Sequence, residues 1–454
     1  MKGFGFFNSL ILFTVSALLV LFASAGTDIF DNGSIDGGDL KSFLTALSGE
    51  SVENSVGFTE MSPFYKVSAE GLDSAESNVP VIKAGVVLDN KTVYVSQYIK
   101  YPCSQKDFVI NIPSANYADT VIKSIYGDCG IFSFNLQNEN VLKVSLESAG
   151  DIVGIEYSIA LRDSGDILSA SESRILLTNM LMTPVVFNGD VPITAIGSHI
   201  GDPVTYGVHD YDVSLVFDAR LSAFAPGKMD SHLYGGFKKE RFLSKNFRDF
   251  PIVLFNKNVN TVEKQIGDIK VVFVNDSEVA EPFAEYALSF AEKNLADYPY
   301  DEFFVVRTDF NKKGMEHSGM ILLNNSVFSD INYLKSVTYH EVFHQWFYGL
   351  VGSDQVNQPY LDEGMATFLA DFLMNYKTPL NREKNFILPL AEYNSQSAYY
   401  SAAYTASAGF ISAHLERLGE DEFFGILKKI CSDKKYSIIY YDEFERYFIS
   451  GYPH

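Results

Sequence analysis

Residues 336–372 read SVTYHEVFHQWFYGLVGSDQVNQPYLDEGMATFLADF. Positions four apart on a helix stack on one face, so His340 and His344 can both present an imidazole nitrogen to one metal ion at about 2.0–2.1 Å. A catalytic zinc ion needs a further protein ligand and keeps one position open. Glu363 supplies that ligand just past the loop GSDQVNQP, where a second helix begins. Two histidines with a glutamate form a catalytic ligand set, in contrast to the closed, sulfur-rich sets of structural zinc. Glu341, between the histidines, can reach a metal-bound water, take its proton as general base and pass it to a leaving amine. The bland alternative is an ordinary helix with solvated or hydrogen-bonded histidines, and Glu363 at its spacing counts against it.

Outward from this stretch the chain changes character. From about residue 60 to 255, short Val/Ile/Phe/Tyr runs alternate with turn residues: AGVVLDNKTVYVSQYI, KDFVINI, NVLKVSL, VGIEYSIAL and YDVSLVF, which read as antiparallel strands. From 256 to 454 two strand patterns, DIKVVFV and EFFVVRT, mix with helical ones over Ala280 to Leu295, around His340, over Glu363 to Met374 and over Ala406 to Leu418. The reading is a multidomain chain, a β domain (60–255) followed by an α/β domain (256–454), with no internal repeat.

The N-terminus, MKGFGFFNSLILFTVSALLVLFASAG, carries Lys2 as its one charge, an apolar run and an Ala23-Ser24-Ala25 cleavage pattern. Residues 1–26 are therefore expected to be a signal peptide or an uncleaved membrane anchor, which places the remainder outside the cytoplasm, secreted or held at the cell surface. Residues 27–59, rich in Gly, Ser and Asp, suit a spacer. A formal charge of −22 with no Lys/Arg cluster argues against nucleic acid as a partner. Cys103 and Cys129 lie in one β-rich region of an exported chain, where a disulfide and two free thiols are both open. Asn32, Asn90, Asn275 and Asn324 each open a glycosylation sequon.

The stretch HEVFHQWFYGLVGSDQVNQPYLDEGMAT is similar to the HExxH-x18-E signature of the gluzincin metallopeptidases of the aminopeptidase N and leukotriene hydrolase type, in particular their shorter bacterial-type or archaeal-type members. Upstream, KKGMEHSGMILL resembles that family's G-x-M-E-N element, with Glu316 preceding His340 by 24 residues. GDPVTYGVHDYDVSLVF, NFRDFPIVL and NLADYPYDEFFVV extend the likeness from about residue 175 onward. The resemblance implies a saddle-like antiparallel β domain packed on a thermolysin-like α+β catalytic domain. It also implies one zinc ion per chain on His340, His344 and Glu363, and removal of residues from peptide N-termini. Glu316, with Gly314 and Met315 beside it, would bind the substrate's free α-amine, a pairing of carboxylate with ammonium that sets the first peptide bond over the metal.

The family's oxyanion-stabilising tyrosine falls on Tyr404, counted back from Gly419 and Phe423, although Ala406 and Ser407 replace the usual Lys-Gly and Tyr399 and Tyr400 stand nearby. His317 occupies the place of the motif's Asn. The chain stops at His454, so the helical C-terminal domain of longer relatives is expected to be missing and the cleft more open. The expectation is an exported zinc aminopeptidase acting on peptides with a free N-terminus. An endopeptidase with an open cleft and a non-catalytic peptide-binding surface protein are the alternatives.

Overall fold

The computed structural model describes residues 66–449 except 73–76, 199, 257 and 383–385. The expected export segment, the spacer and Asn32 lie outside the described residues. No helix among the described residues is long and apolar enough to cross a membrane. The described residues form one compact unit.

Among the described residues the first strands are β1 (Val81–Asp89), β2 (Thr92–Asn111), β3 (Asp119–Gly127), β4 (Ile131–Gln137) and β5 (Val141–Ala160). Short ones follow: β6 (Leu168–Ala170), β7 (Arg174–Leu177), β8 (Thr183–Pro184), β9 (Val186–Asn188) and β10 (Val191–Ile193). Then come β11 (His209–Asp218), β12 (Ser222–Phe224), β13 (Lys228–Tyr234), β14 (Phe237–Phe247) and β15 (Ile252–Phe255). A large sheet runs β13-β14-β11-β1-β2-β5-β3, with β4 on β5 and β8 on β2, and β12-β15-β7-β6 makes a second. The β reading of this region holds, but β1 and β11 pair in parallel rather than antiparallel, and KDFVINI and NVLKVSL are not separate strands. They continue β2 and β5, whose pairing shifts register between Lys100, Gln105 and Asp107. Pro102 has no N–H to give the ladder and the surrounding residues are polar, so pairing lapses there and resumes beyond a bulge.

The remainder builds on a five-stranded sheet, β16-β17-β18-β20-β19, from β16 (Thr261–Ile266), β17 (Ile269–Val274), β18 (Glu302–Thr308), β19 (Gly314–His317) and β20 (Met320–Asn324). Helix α1 (Glu281–Asn294) is the crossover that lets β17 and β18 run parallel. Alternation along the strands sends Val271, Phe273, Val305, Ile321 and Leu323 to a core shared with α1 and with α2 (Ile331–Phe343). The opposite face, Val272, Val274, Val306 and Leu322, packs on Leu176 of β7 and Val253 of β15. Helices α3 (Tyr360–Met374), α4 (Ser407–Leu418), α5 (Glu420–Asp433) and α6 (Tyr441–Ile449) complete this part. The result is a sheet-rich first half and a helix-rich second half, with α2 lying against edge strand β19.

Cys103 and Cys129 are free thiols, so of the two states left open by sequence the structure adopts the unbridged one.

Candidate active site

Helix α2 starts where Asp330 accepts hydrogen bonds from the backbone N–H groups of Asn332 (2.8 Å) and Tyr333 (3.0 Å). It ends at His344, whose Nδ1 lies 3.0 Å from the Phe347 carbonyl. A carbonyl can only accept, so Nδ1 carries the proton and Nε2 turns a lone pair inward. Glu363 enters from the first turn of α3, where the helix dipole favours a carboxylate.

The three sequence-derived ligands converge. His340 Nε2 lies 3.1 Å from Glu363 Oε2 and 3.1 Å from His344 Nε2, and His344 Nε2 lies 3.5 Å from Glu363 Oε2. Donors bound tetrahedrally at about 2.0–2.1 Å stand roughly 3.4 Å apart, so this triangle has the dimensions of a zinc site. The electrostatics agree. Burial disfavours a charge on His344, yet Glu316, Glu363 and Glu341 draw its pKa well above the ordinary value, so the pocket calls for positive charge among these groups. Burial likewise pushes the Glu363 carboxyl up, but its hydrogen bonds to His340 and His344 outweigh this and hold it below the usual range. These residues suit zinc in donor type, spacing and charge.

Glu341 faces β19. A Cβ on Gly314 would come within 2.0 Å of Glu341 Oε1, so the absent side chain is what lets strand and helix approach. Glu341 Oε2 is buried without a hydrogen-bond partner among the described residues, and burial raises the Glu341 carboxyl against the pull of His340 and His344. Glu316, two residues beyond Gly314 on the same strand face, is 5% exposed, and its carboxylate, that of Glu341 and a ring nitrogen of His344 lie within 4.8 Å of one another. Burial pushes the Glu316 carboxyl well above its ordinary range. Met315 packs into the core between the sheets, with its sulfur at the margin of the cleft.

Strand β19 is fixed from behind by contacts that the sequence reading did not identify. His317 Nδ1 pairs with the buried Asp249 carboxylate, whose Oδ1 accepts from the Ser318 N–H at 2.9 Å. Gln345, next to His344, donates to the His317 carbonyl (3.0 Å) and accepts from the Gly319 N–H (3.0 Å). The substitution of His for the motif's Asn thus comes with a partner in Asp249. The one legible signal was the quoted NFRDFPIVL, which contains it.

Tyr404 lies in a π-helical turn, Tyr400–Ala406, just before α4, so the helix expected from Ala406 starts one residue later on a wider turn. Its ring stacks on His340 (centroids 5.6 Å apart, planes at 10°), and its hydroxyl donates to Glu363 Oε1. Tyr399 packs against it at 5.8 Å. The cleft over these groups measures about 560 Å³ and is also lined by Asp202, Lys312, Tyr333, Val337, Thr367 and Asp371. Asp202 and Lys312 were absent from the sequence-derived site, since Asp202 lies more than a hundred residues from His340 and no local pattern links them.

Comparison with known proteins bears on the fold and on part of the chain. Residues 282–405 match the Peptidase family M1 domain. The fold is similar to the crystal structure of the M1 zinc metallopeptidase from Deinococcus radiodurans (13% identity over 83% of this chain and 90% of that one, TM-score 0.61). It is also similar to that of Legionella pneumophila aminopeptidase A in complex with aspartic acid (15% identity, 84% of this chain and 49% of that one, TM-score 0.63). No curated protein sequence matches. Residues 282–405 are thus an M1 peptidase domain of gluzincin type, and the chain is a zinc metallopeptidase.

Proposed function

We propose that the chain is an exported zinc aminopeptidase that hydrolyses the N-terminal peptide bond of peptides. The observation that carries this reading is the buried carboxylate of Glu316 beside the His340–His344–Glu363 triangle. An acid there anchors a substrate's α-ammonium and leaves room for only one residue before the scissile bond. One zinc ion per chain would be held by His340, His344 and Glu363, and when bound it supplies Lewis-acid polarisation of the scissile carbonyl and the attacking water. Glu341, whose pKa burial raises, takes the water's proton and returns it to the leaving amine. The Tyr404 hydroxyl turns from Glu363 to donate to the oxyanion of the tetrahedral intermediate. Gly314 and Met315 hold Glu316 in register. The N-terminal apolar stretch supports secretion or anchoring, and the division at 255/256 into a saddle-like β domain and a thermolysin-like domain is part of the same proposal.

The test is hydrolysis of aminoacyl anilides and of matched free and N-acetylated peptides, with chelator and with zinc restored. Chelator-sensitive cleavage of free-amine substrates only, lost in Glu341→Gln and weakened in Glu316→Ala, is expected. Cleavage of the acetylated peptides would make the protein an endopeptidase, and zinc binding with no cleavage would make it a binding module.

A further inference from the structure

The cleft contains a cation that the proposed reaction does not use. Lys312 lies two residues before Gly314, and its ammonium donates to Asp202 Oδ1 at 3.0 Å and rests 3.1 Å from Met315 Sδ, the residue adjoining Glu316. The next residue, Lys313, turns away to Ser326 Oγ at 3.0 Å. Asp202 is carried in by Gly201, whose backbone is left-handed (φ +61°) and on which a Cβ would come within 2.6 Å of Leu390 and 2.9 Å of Tyr399. The turn therefore holds Asp202, 13% exposed, over Lys312, which stays 36% exposed to the cleft. Burial works against the ammonium, but Asp202, Tyr117 and Glu316 outweigh it and keep Lys312 charged.

A lysine has three N–H donors. Asp202 takes one and the soft Met315 sulfur another, so at least one is open to the cleft beside the carboxylate assigned to the substrate's α-ammonium. The group next to an α-ammonium is the side chain of the N-terminal residue. Asp371 is a further acid of the cleft, with a partner of its own. It lies eight residues beyond Glu363 on α3, about 12 Å along the axis, and accepts a hydrogen bond from Thr378 Oγ1 (2.8 Å).

Resting on the aminopeptidase reading, we propose that the cleft selects peptides with an acidic N-terminal residue, and that Lys312, oriented by Asp202, is the group that reads the side-chain carboxylate. Glutamine is the isosteric control for glutamate, so the ratio of their kcat/KM values isolates the charge.

The experiment uses the zinc-loaded full chain and the p-nitroanilides of Glu, Gln, Asp, Asn and Leu. The wild type is expected to favour Glu over Gln about tenfold or more, the order a partly desolvated charge pair supplies, with the difference mainly in KM. Lys312→Met brings the ratio to one or below, and Lys312→Arg retains part of it. Equal rates for Glu and Gln in the wild type overturn the inference while leaving the aminopeptidase standing, and this arm needs no variant to fold. A ratio preserved in Lys312→Met overturns it as well, leaving Lys312 as a structural partner of Asp202. Failure to cleave any of the five anilides overturns both readings.

Discussion

Tyr404→Phe removes one oxygen and keeps the ring, so the stacking on His340 and the contact with Tyr399 survive and the fold should be unchanged. Two separable quantities then change. The lost hydroxyl donates to Glu363 Oε1, the oxygen of the ligand carboxylate that is not turned to the histidines. Hydrogen bonds behind a metal ligand are worth about 10–100-fold in metal affinity. Water can enter from the cleft to replace this donor, so the lower end applies: zinc Kd should rise about tenfold, roughly 1.4 kcal/mol. The same hydroxyl is the proposed donor to the oxyanion, worth about 10²–10³ in kcat. It must leave Glu363 to reach the oxyanion, and that loss offsets part of the gain, so a fall in kcat near 10², about 2.7 kcal/mol, is expected. The assay is kcat with zinc saturating, together with zinc affinity in chelator-buffered solution. A kcat within a few-fold of wild type at saturating zinc would refute the role in the reaction, and an unchanged Kd would refute the role behind Glu363.

Three further outcomes are expected. Burial pushes the pKa of His209 from 6.5 down to about 3, so below pH 6.5 the unfolded chain takes up a proton that the folded one refuses, and stability falls as pH drops towards 3. At pH 5 this amounts to about 2 kcal/mol. In urea unfolding at pH 7 and pH 5, the advantage of wild type over His209→Gln should shrink by that amount, and a pH-independent difference would sink the assignment. Arg248, 1% exposed, donates to the carbonyls of Tyr206, Tyr348, Gly349 and Ser437, and Arg248→Leu, which orphans them, should cost about 3 kcal/mol or more, measured as a lowered urea midpoint. Burial pushes the Cys431 thiol up to about 12 while Cys103 is exposed, so a disulfide-exchange reagent should label Cys103 quickly in the native protein and Cys431 only after denaturation.

What the sequence determined by itself was local. A helical repeat places His340 and His344 on one face with Glu341 between them, and turn residues ahead of a helix put Glu363 in its first turn, because 3.6-residue periodicity and end effects act within a few residues. Two-residue alternation made the β character of the first half legible for the same reason. Where pairing lapsed and resumed was not legible: β2 and β5 each join two runs that sequence separates, since register belongs to the partner strand as much as to the strand itself. Glu316 and Tyr404 could be named through family resemblance, but that the Tyr404 hydroxyl rests on Glu363 depends on a π-helical turn, which no propensity marks. The Asp249–His317 pair and the meeting of Asp202 with Lys312 were decided by tertiary structure alone. Asp202 and Lys312 stand 110 residues apart, and only the packing of the first half's loops against the β19 edge brings their charges within 3.0 Å.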